Sequence, residues 1–485
     1  MGTGRPYRVG TSCRADPQTT RPPDLPRAWA PPTQSSRSGH TGAVESDVSP
    51  SRQVLQLAIP AFLALIAEPL FLLADTAIVG HLGTAPLAGL GLASSALLTA
   101  VGVFVFLAYG TTAVVARQLG AGNVRAAIAA GVDGTWLAVG LGLVVAAPLA
   151  LAARPVCRWL GGEGAALTNA VGYLRIAAFG IPPMLVVMAV TGVLRGLLDT
   201  RTPLVVNVVG AVVNVVLNVL FVYGFRWGIA GSAIGTLLVQ AGMASALVLV
   251  LLRHARADDA PLRPHPGRVL AAAIDGIPLL VRTLALRAIL LLTTWVAAGL
   301  GVVPLAAHQV TATIWSFLVF ALDAIAIAAQ ALTGRALGAG DARSARELTS
   351  LMIRWGIWSG LAVGVVVLAL HRVLPALFTD DPGVRAAVAA GLVVVAVGQV
   401  LSGFVFVIDG VLIGAGDARW LSMSMCLVLA AYLPMVLAVR AFAPTDPPLA
   451  ITWLWVAFTG FMLVRAVFLG WRVRSDRWMV LGAGR

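Results

Sequence analysis

The sequence predicts an all-α integral membrane protein: twelve transmembrane helices in two pseudo-symmetric six-helix lobes, related by an axis along the membrane normal. Three observations predict it. Charge is scarce, since 59% of the 485 residues are hydrophobic and 11% charged, against about a quarter charged in ordinary soluble domains. Long apolar runs recur from residue 54 to residue 471. Short motifs in three separate loops also reappear at one fixed spacing.

Residues 1–52 hold seven Arg, four acids and eight Pro, with no apolar stretch. Such a segment buries too little to offset the entropy of ordering, so a disordered cytoplasmic tail is expected. Beyond it, 44 charged side chains serve more than four hundred positions, too few to cover a water-soluble surface. All 34 basic residues are Arg. In a polytopic protein the net charge of +13 is a topology signal before it is a nucleic-acid signal, and no basic stripe interleaved with exposed aromatics supports nucleic-acid binding.

A bilayer-spanning helix needs about 20 apolar residues. Twelve runs qualify: 54–79, 87–115, 127–152, 168–193, 203–224, 229–252, 272–298, 305–332, 349–370, 386–410, 420–439 and 449–471. The even-numbered connections and the carboxyl end carry sixteen Arg, the opposite side six. The excess is expected inside, which puts both termini in the cytoplasm of a bacterial inner (plasma) membrane.

Arg117-Gln118-Leu119-Gly120-Ala121-Gly122-Asn123 recurs as Arg335-Ala336-Leu337-Gly338-Ala339-Gly340-Asp341, 218 residues later. Leu82-Gly83 and Pro86-Leu87-Ala88 recur as Leu300-Gly301 and Pro304-Leu305-Ala306, and Gly196, Asp199 and Arg201 as Gly414, Asp417 and Arg419, at the same offset. Six helices per repeat return the chain to its starting side, so both halves share one topology. The expected organisation is an amino-terminal lobe at 53–252, a cytoplasmic linker at 253–271, a carboxyl-terminal lobe at 272–475 and a cytoplasmic tail at 476–485.

With these motifs in place, the chain resembles the multidrug and toxic compound extrusion (MATE) transporters and, within them, the DinF-like branch. The resemblance rests on Ala74-Asp75-Thr76-Ala77-Ile78-Val79-Gly80-His81-Leu82-Gly83, Leu194-Arg195-Gly196-Leu197-Leu198-Asp199-Thr200-Arg201-Thr202-Pro203 and Ala306-Ala307-His308-Gln309. The branch is suggested by Arg282-Thr283, Ala321-Leu322-Asp323-Ala324 and Ile408-Asp409-Gly410-Val411-Leu412-Ile413-Gly414-Ala415. It covers roughly residues 54–475. It implies export of amphipathic, often cationic, compounds against entry of protons or sodium ions.

Ionisable groups inside a membrane are costly, so each is a functional candidate. Asp75 is the sharpest: it sits deep in the first span, and its repeat mate is Thr293. A carboxylate confined to one lobe is placed to take up and release a proton each cycle; a permanent inter-helix bond is the structural alternative. Asn207, Asn214 and Asn218, spaced by seven and four, form a stripe on one helix face. Asn214 and Asn218 are expected to complete an ion site with Asp75, or else to join helices. Glu68, seven residues before Asp75 and about 10 Å away along a helix, is a second proton station or a partner for backbone freed at Pro69. Pro60 and Pro69 make the first helix bendable. In the second lobe Arg282, Asp323 and Asp409 suggest a buried charge network, with a role towards substrate as the alternative. Tyr109, Phe104, Phe106, Trp315 and Phe317 are available for cation contact.

Three scattered Cys and six scattered His give no metal-ligand spacing. The Gly-Ala-Gly loops lack the Lys-Ser/Thr of a phosphate cradle. The chain is therefore expected to be no enzyme and to need no cofactor beyond the coupling ion, H+ or possibly Na+. Its partners would be small amphipathic cations and the bilayer, and it is expected to act as a monomer. A lipid-linked precursor flippase is a second reading, for which an Arg-lined cavity would be the mark; none is evident in the sequence.

Overall fold

The computed structural model describes residues 50–483, apart from the side chain of Glu68. Twelve helices are long and apolar enough to cross a membrane: α1 (Ser51–Gly80), α2 (Thr84–Gly120), α3 (Val124–Leu151), α4 (Gly164–Gly196), α5 (Arg201–Gly224), α6 (Gly228–Ala257), α7 (Pro266–Leu300), α8 (Val302–Gly338), α9 (Ala342–Leu370), α10 (Pro382–Gly414), α11 (Ala418–Phe442) and α12 (Pro447–Arg474). Each overlaps its expected run and extends a few residues beyond it at one or both ends, because helices outlast the hydrocarbon core into polar turns. There is no strand among the described residues. A short helix, Ala153–Trp159, precedes α4 and has too few residues to register as a span. Helix α2 tightens into a 3-10 turn at Val103–Val105, and α5 ends in a π turn at Leu220–Gly224.

The repeat is written into the backbone. Gly83 and its mate Gly301 have φ of 119° and 123°, and Gly122 and Gly340 have 77° and 76°. Packing follows the same offset. In the first half, Gly192 and Gly196 of α4 lie against the backbone of Ala108 and Thr112 on α2. In the second, Gly410 and Gly414 of α10 lie against the backbone of Ala326 and Gln330 on α8. Small residues let the backbones of apolar helices approach closely where no side chain could intervene.

The two repeated Arg-x-Leu-Gly loops meet each other. A Cβ at Gly120 would collide with the Arg335 carbonyl, and one at Gly338 with the Arg117 carbonyl. This reciprocal contact joins the halves on the side of the even-numbered connections. Arg117 strengthens it: its guanidinium donates to the carbonyl of Ala415 at 2.6 Å, of Gly482 at 3.1 Å, and of Val480. The Gly482 N–H donates to the Leu337 carbonyl at 2.9 Å. The segment expected as a cytoplasmic tail thus bonds to both halves. Gly338→Ala is expected to cost about 1–3 kcal/mol through overpacking. Gly91→Ala, where a Cβ meets open space, should not destabilise; thermal midpoints of the two variants check the contrast.

Two further carboxylates secure this side. Asp341 caps α9 by accepting the Ser344 N–H at 2.9 Å, and the Ser344 hydrogen bonds hold its carboxyl below the usual range. A depressed folded value means the cap contributes above the ordinary carboxylate pKa and is lost as pH falls through the folded one. Asp341→Ala should therefore cost about 1 kcal/mol at neutral pH and nothing in acid, read as the midpoint difference against pH. Asp133 of α3, buried and not singled out from the sequence, bonds Arg268 at 2.8 Å and accepts the His265 N–H at 3.2 Å, tying the inter-lobe connection to the first lobe.

Candidate functional site

Asp75 lies in the last third of α1, about one and a half turns from its end at Gly80, with 2% of its surface exposed. Pro60 and Pro69 lie within the same unbroken helix. Asn214 and Asn218 of α5 are fully buried, and the spacing of four places them one turn apart facing α1. The Asn218 amide N–H donates to Asp75 Oδ1 and, at 3.0 Å, to Asn214 Oδ1. Thr236 of α6 donates to Asp75 Oδ2 at 3.3 Å and accepts from the Asn214 amide at 3.3 Å. One carboxylate thus ties together three helices. Asn218 Oδ1 is buried without a partner. Tyr173 of α4, also buried, stands within electrostatic reach of Asp75. Asn207 is half-buried, and no bond joins it to this group among the described residues. The side chain of Glu68 lies outside the described residues.

The sister positions carry a neutral copy of this arrangement. The mates of Asp75 and Asn214 are Thr293 and Tyr432, and their hydroxyls bond each other at 2.7 Å across α7 and α11. Both lobes therefore link the equivalent helix pair, and only the first does so with a carboxylate.

A second constellation spans the halves. Asp409 Oδ2 on α10 accepts from Arg282 of α7 and, at 2.6 Å, from Arg465 of α12. All three residues are buried. Asp323 on α8 makes no ion pair among the described residues, yet lies in the field of Arg282, Arg195 and Arg465. Tyr109 on α2 sits in the same field, and its carbonyl accepts from Gln330 of α8 at 2.6 Å. Of the expected Arg282–Asp323–Asp409 network, the Arg282–Asp409 pair is present, Asp323 makes no ion pair among the described residues, and Asp409 takes a second guanidinium from Arg465. Arg195, in the last turn of α4, lies within electrostatic reach of Tyr109 and Asp323. Of the aromatics, Trp315 packs edge-on against Phe458, and Phe104 and Phe106 lie against each other.

Asp199 and Asp417 act in the scaffold. Asp199 accepts the N–H groups of Arg201 and Thr202, both at 3.0 Å, opening α5, and Asp417 holds Arg472 at 2.6 and 3.2 Å. Among the described residues no cluster of three or more His, Cys, Asp or Glu could hold a metal ion.

The MatE family profile matches residues 60–220 and again residues 278–439, two segments separated by the repeat distance. The chain belongs to the MatE family. It is a multi-pass membrane transporter that handles small molecules within the membrane, and it is not an enzyme. It is 30% identical over 454 residues to "Protein DETOXIFICATION 44, chloroplastic" of Arabidopsis thaliana, covering 88% of this chain and 84% of that one. It is 29% identical over 436 residues to "DNA damage-inducible protein F" of Escherichia coli (strain K12), covering 87% and 92%. The same fold occurs in a MATE transporter solved in a bent conformation, at TM-score 0.80, 22% identity and 88% and 96% coverage. It occurs also in a MOP superfamily transporter from Pyrococcus furiosus Vc1 described as having a binding pocket of reverse polarity, at TM-score 0.79, 21% identity and the same coverages.

Proposed function

We propose that this transporter is a secondary active antiporter that exports small amphipathic compounds by alternating access in exchange for protons, with Asp75 carrying the proton. The observation behind this reading is the one-sided pair of sites: a buried carboxylate at Asp75, a Thr–Tyr hydroxyl pair at its mate. A static helix tie is satisfied by hydroxyls, as the second lobe demonstrates, so an acid retained at the first site has chemistry to perform. As an anion, Asp75 accepts from Asn218 and Thr236 and binds α5 and α6 to α1. Protonated, it becomes a donor and loses at least one of these bonds; the orphan Asn218 Oδ1 can serve as its acceptor once the amide rotates. Bending of α1 at Pro60 or Pro69 would then follow protonation and change the shape of the cleft.

Sodium is the weaker coupling ion here, because the described site offers one carboxylate and neutral amide and hydroxyl groups to a cation that needs several oxygens. The lobes are joined on the Arg-rich side, which the charge bias assigns to the cytoplasm; this is an outward-facing arrangement of a bacterial plasma-membrane protein, acting as a monomer. Amphipathic cations are the substrate class implied by the resemblance. Liposomes given ΔpH or ΔpNa separately, with the wild type and Asp75→Asn, test the coupling: transport driven by ΔpNa alone and unaffected by the substitution would remove this reading.

A further inference from the structure

The charged group between the lobes has a surplus of the wrong sign for a cation site. Arg195, Arg282 and Arg465 stand against Asp323 and Asp409, leaving one positive charge in excess. Arg287, five residues further along α7, lies with its guanidinium against the backbone at Gly102 of α2 and pairs with no carboxylate among the described residues. Asp409 Oδ2 already takes two guanidiniums, while its Oδ1 is buried without a partner. The Nε atoms of both Arg282 and Arg465 are buried without a partner, so each fork retains a free donor. The Arg195 side chain makes no ion pair or hydrogen bond among the described residues, and the residue is only partly covered, as are Asp323 and Tyr109.

Guanidinium groups held inside a membrane protein without counter-charge are costly, and a planar fork with free N–H groups matches a carboxylate in geometry as well as charge. The missing negative charge is what a substrate can bring. We propose that Arg195, Arg282 and Arg465, with Tyr109 beside them, form the site for the carboxylate of an amphipathic organic anion, and that Asp323 is an internal placeholder for that anion in the empty transporter. The apolar body of the substrate would lie against the surrounding helices. The elements supplying these groups, α2 and α4 from one lobe and α7, α8 and α12 from the other, are those whose separation alternating access requires, so a bound anion would be grasped by both halves. The proposal rests on the exporter reading above and is independent of which ion drives it.

Equilibrium binding to the purified full-length protein, with no gradient present, tests it using a matched pair of near-equal shape, 2-naphthylacetate and 2-naphthylmethylammonium. The carboxylate should bind saturably and the ammonium at least about tenfold more weakly. Arg195→Gln should raise the carboxylate Kd about tenfold or more, the loss of one charge-assisted contact. Asp323→Asn, which removes the competing anion, should tighten it. Equal binding of the pair, preference for the ammonium, no saturable carboxylate binding, an unchanged Kd in Arg195→Gln, or weaker carboxylate binding in Asp323→Asn would each overturn the proposal. A tenfold preference for decyl phosphate over decanoate would overturn its carboxylate form in favour of a phosphate-headed lipid. Because this assay applies no gradient, the carboxylate Kd bears on the present proposal alone, and loss of ΔpH-driven transport in Asp75→Asn bears on the proton-coupling reading alone.

Discussion

Asp75→Asn is expected to abolish proton-driven antiport in liposomes while leaving gradient-free substrate exchange in place. The amide matches the carboxylate in size and can still bond Thr236 and Asn218, so the fold should survive with little change in thermal midpoint. What it cannot do is change its charge during the cycle. Uphill transport needs an obligatory exchange of proton for substrate, and a permanently neutral side chain at this site allows the lobes to rock without that exchange. The variant should therefore equilibrate substrate without concentrating it. Asn218→Asp is the complementary change: it places a second carboxylate against the first, where one of the pair would hold a proton or both would share a cation. Acquired acceleration by ΔpNa in that variant, absent from the wild type, would show that one carboxylate decides the ion. Retained uphill transport in Asp75→Asn would transfer the coupling role elsewhere.

The pattern of what the sequence shows and what it hides has a physical reason. The offset of 218 is legible in loop motifs because tight turns constrain residue type strongly: Gly122 and Gly340 hold left-handed backbone that other residues adopt at a cost. The same offset then carries through to packing, so Gly192 and Gly410 meet equivalent backbones. Asp75 and Asn218 are legible because a carboxylate and an amide are rare in apolar helices and the sister lobe lacks them. Thr236 is not. Serine and threonine in these helices commonly bond their own helix four residues back, as Thr283 and Thr311 do. A threonine that reaches across to another helix looks the same in the sequence. Arg465 and Arg195 were hidden for a related reason. An Arg within a turn or two of a helix end reads equally as a side chain snorkelling to water, and only the packing of α12 against α10 and of α4 against α2 reveals which way each points.

Removing Asp409 is expected to be the most destructive single change in the second lobe. Its carboxylate is the shared partner of Arg282 and Arg465, each less than a tenth exposed. Asp409→Ala would leave two guanidiniums facing each other in a dry site, and breaking a buried pair in this way typically costs about 3–5 kcal/mol. The cost should be higher here than for Arg282→Gln, which leaves the Asp409–Arg465 pair at 2.6 Å intact. The comparison with Asp323→Asn is the informative one. Asp323 makes no ion pair, so its loss should leave the thermal midpoint nearly unchanged and move substrate affinity instead. Thermal midpoints in detergent, read beside the binding measurements, separate the two acids. If Asp409→Ala folds as well as the wild type, the triad is not a structural lock and the three guanidiniums are free to act together. If Asp323→Asn destabilises as severely as Asp409→Ala, Asp323 is a structural counter-charge and not a placeholder. The division of labour that the geometry implies, one acid fixed between two Arg and the other open among three, therefore stands or falls on two melting curves.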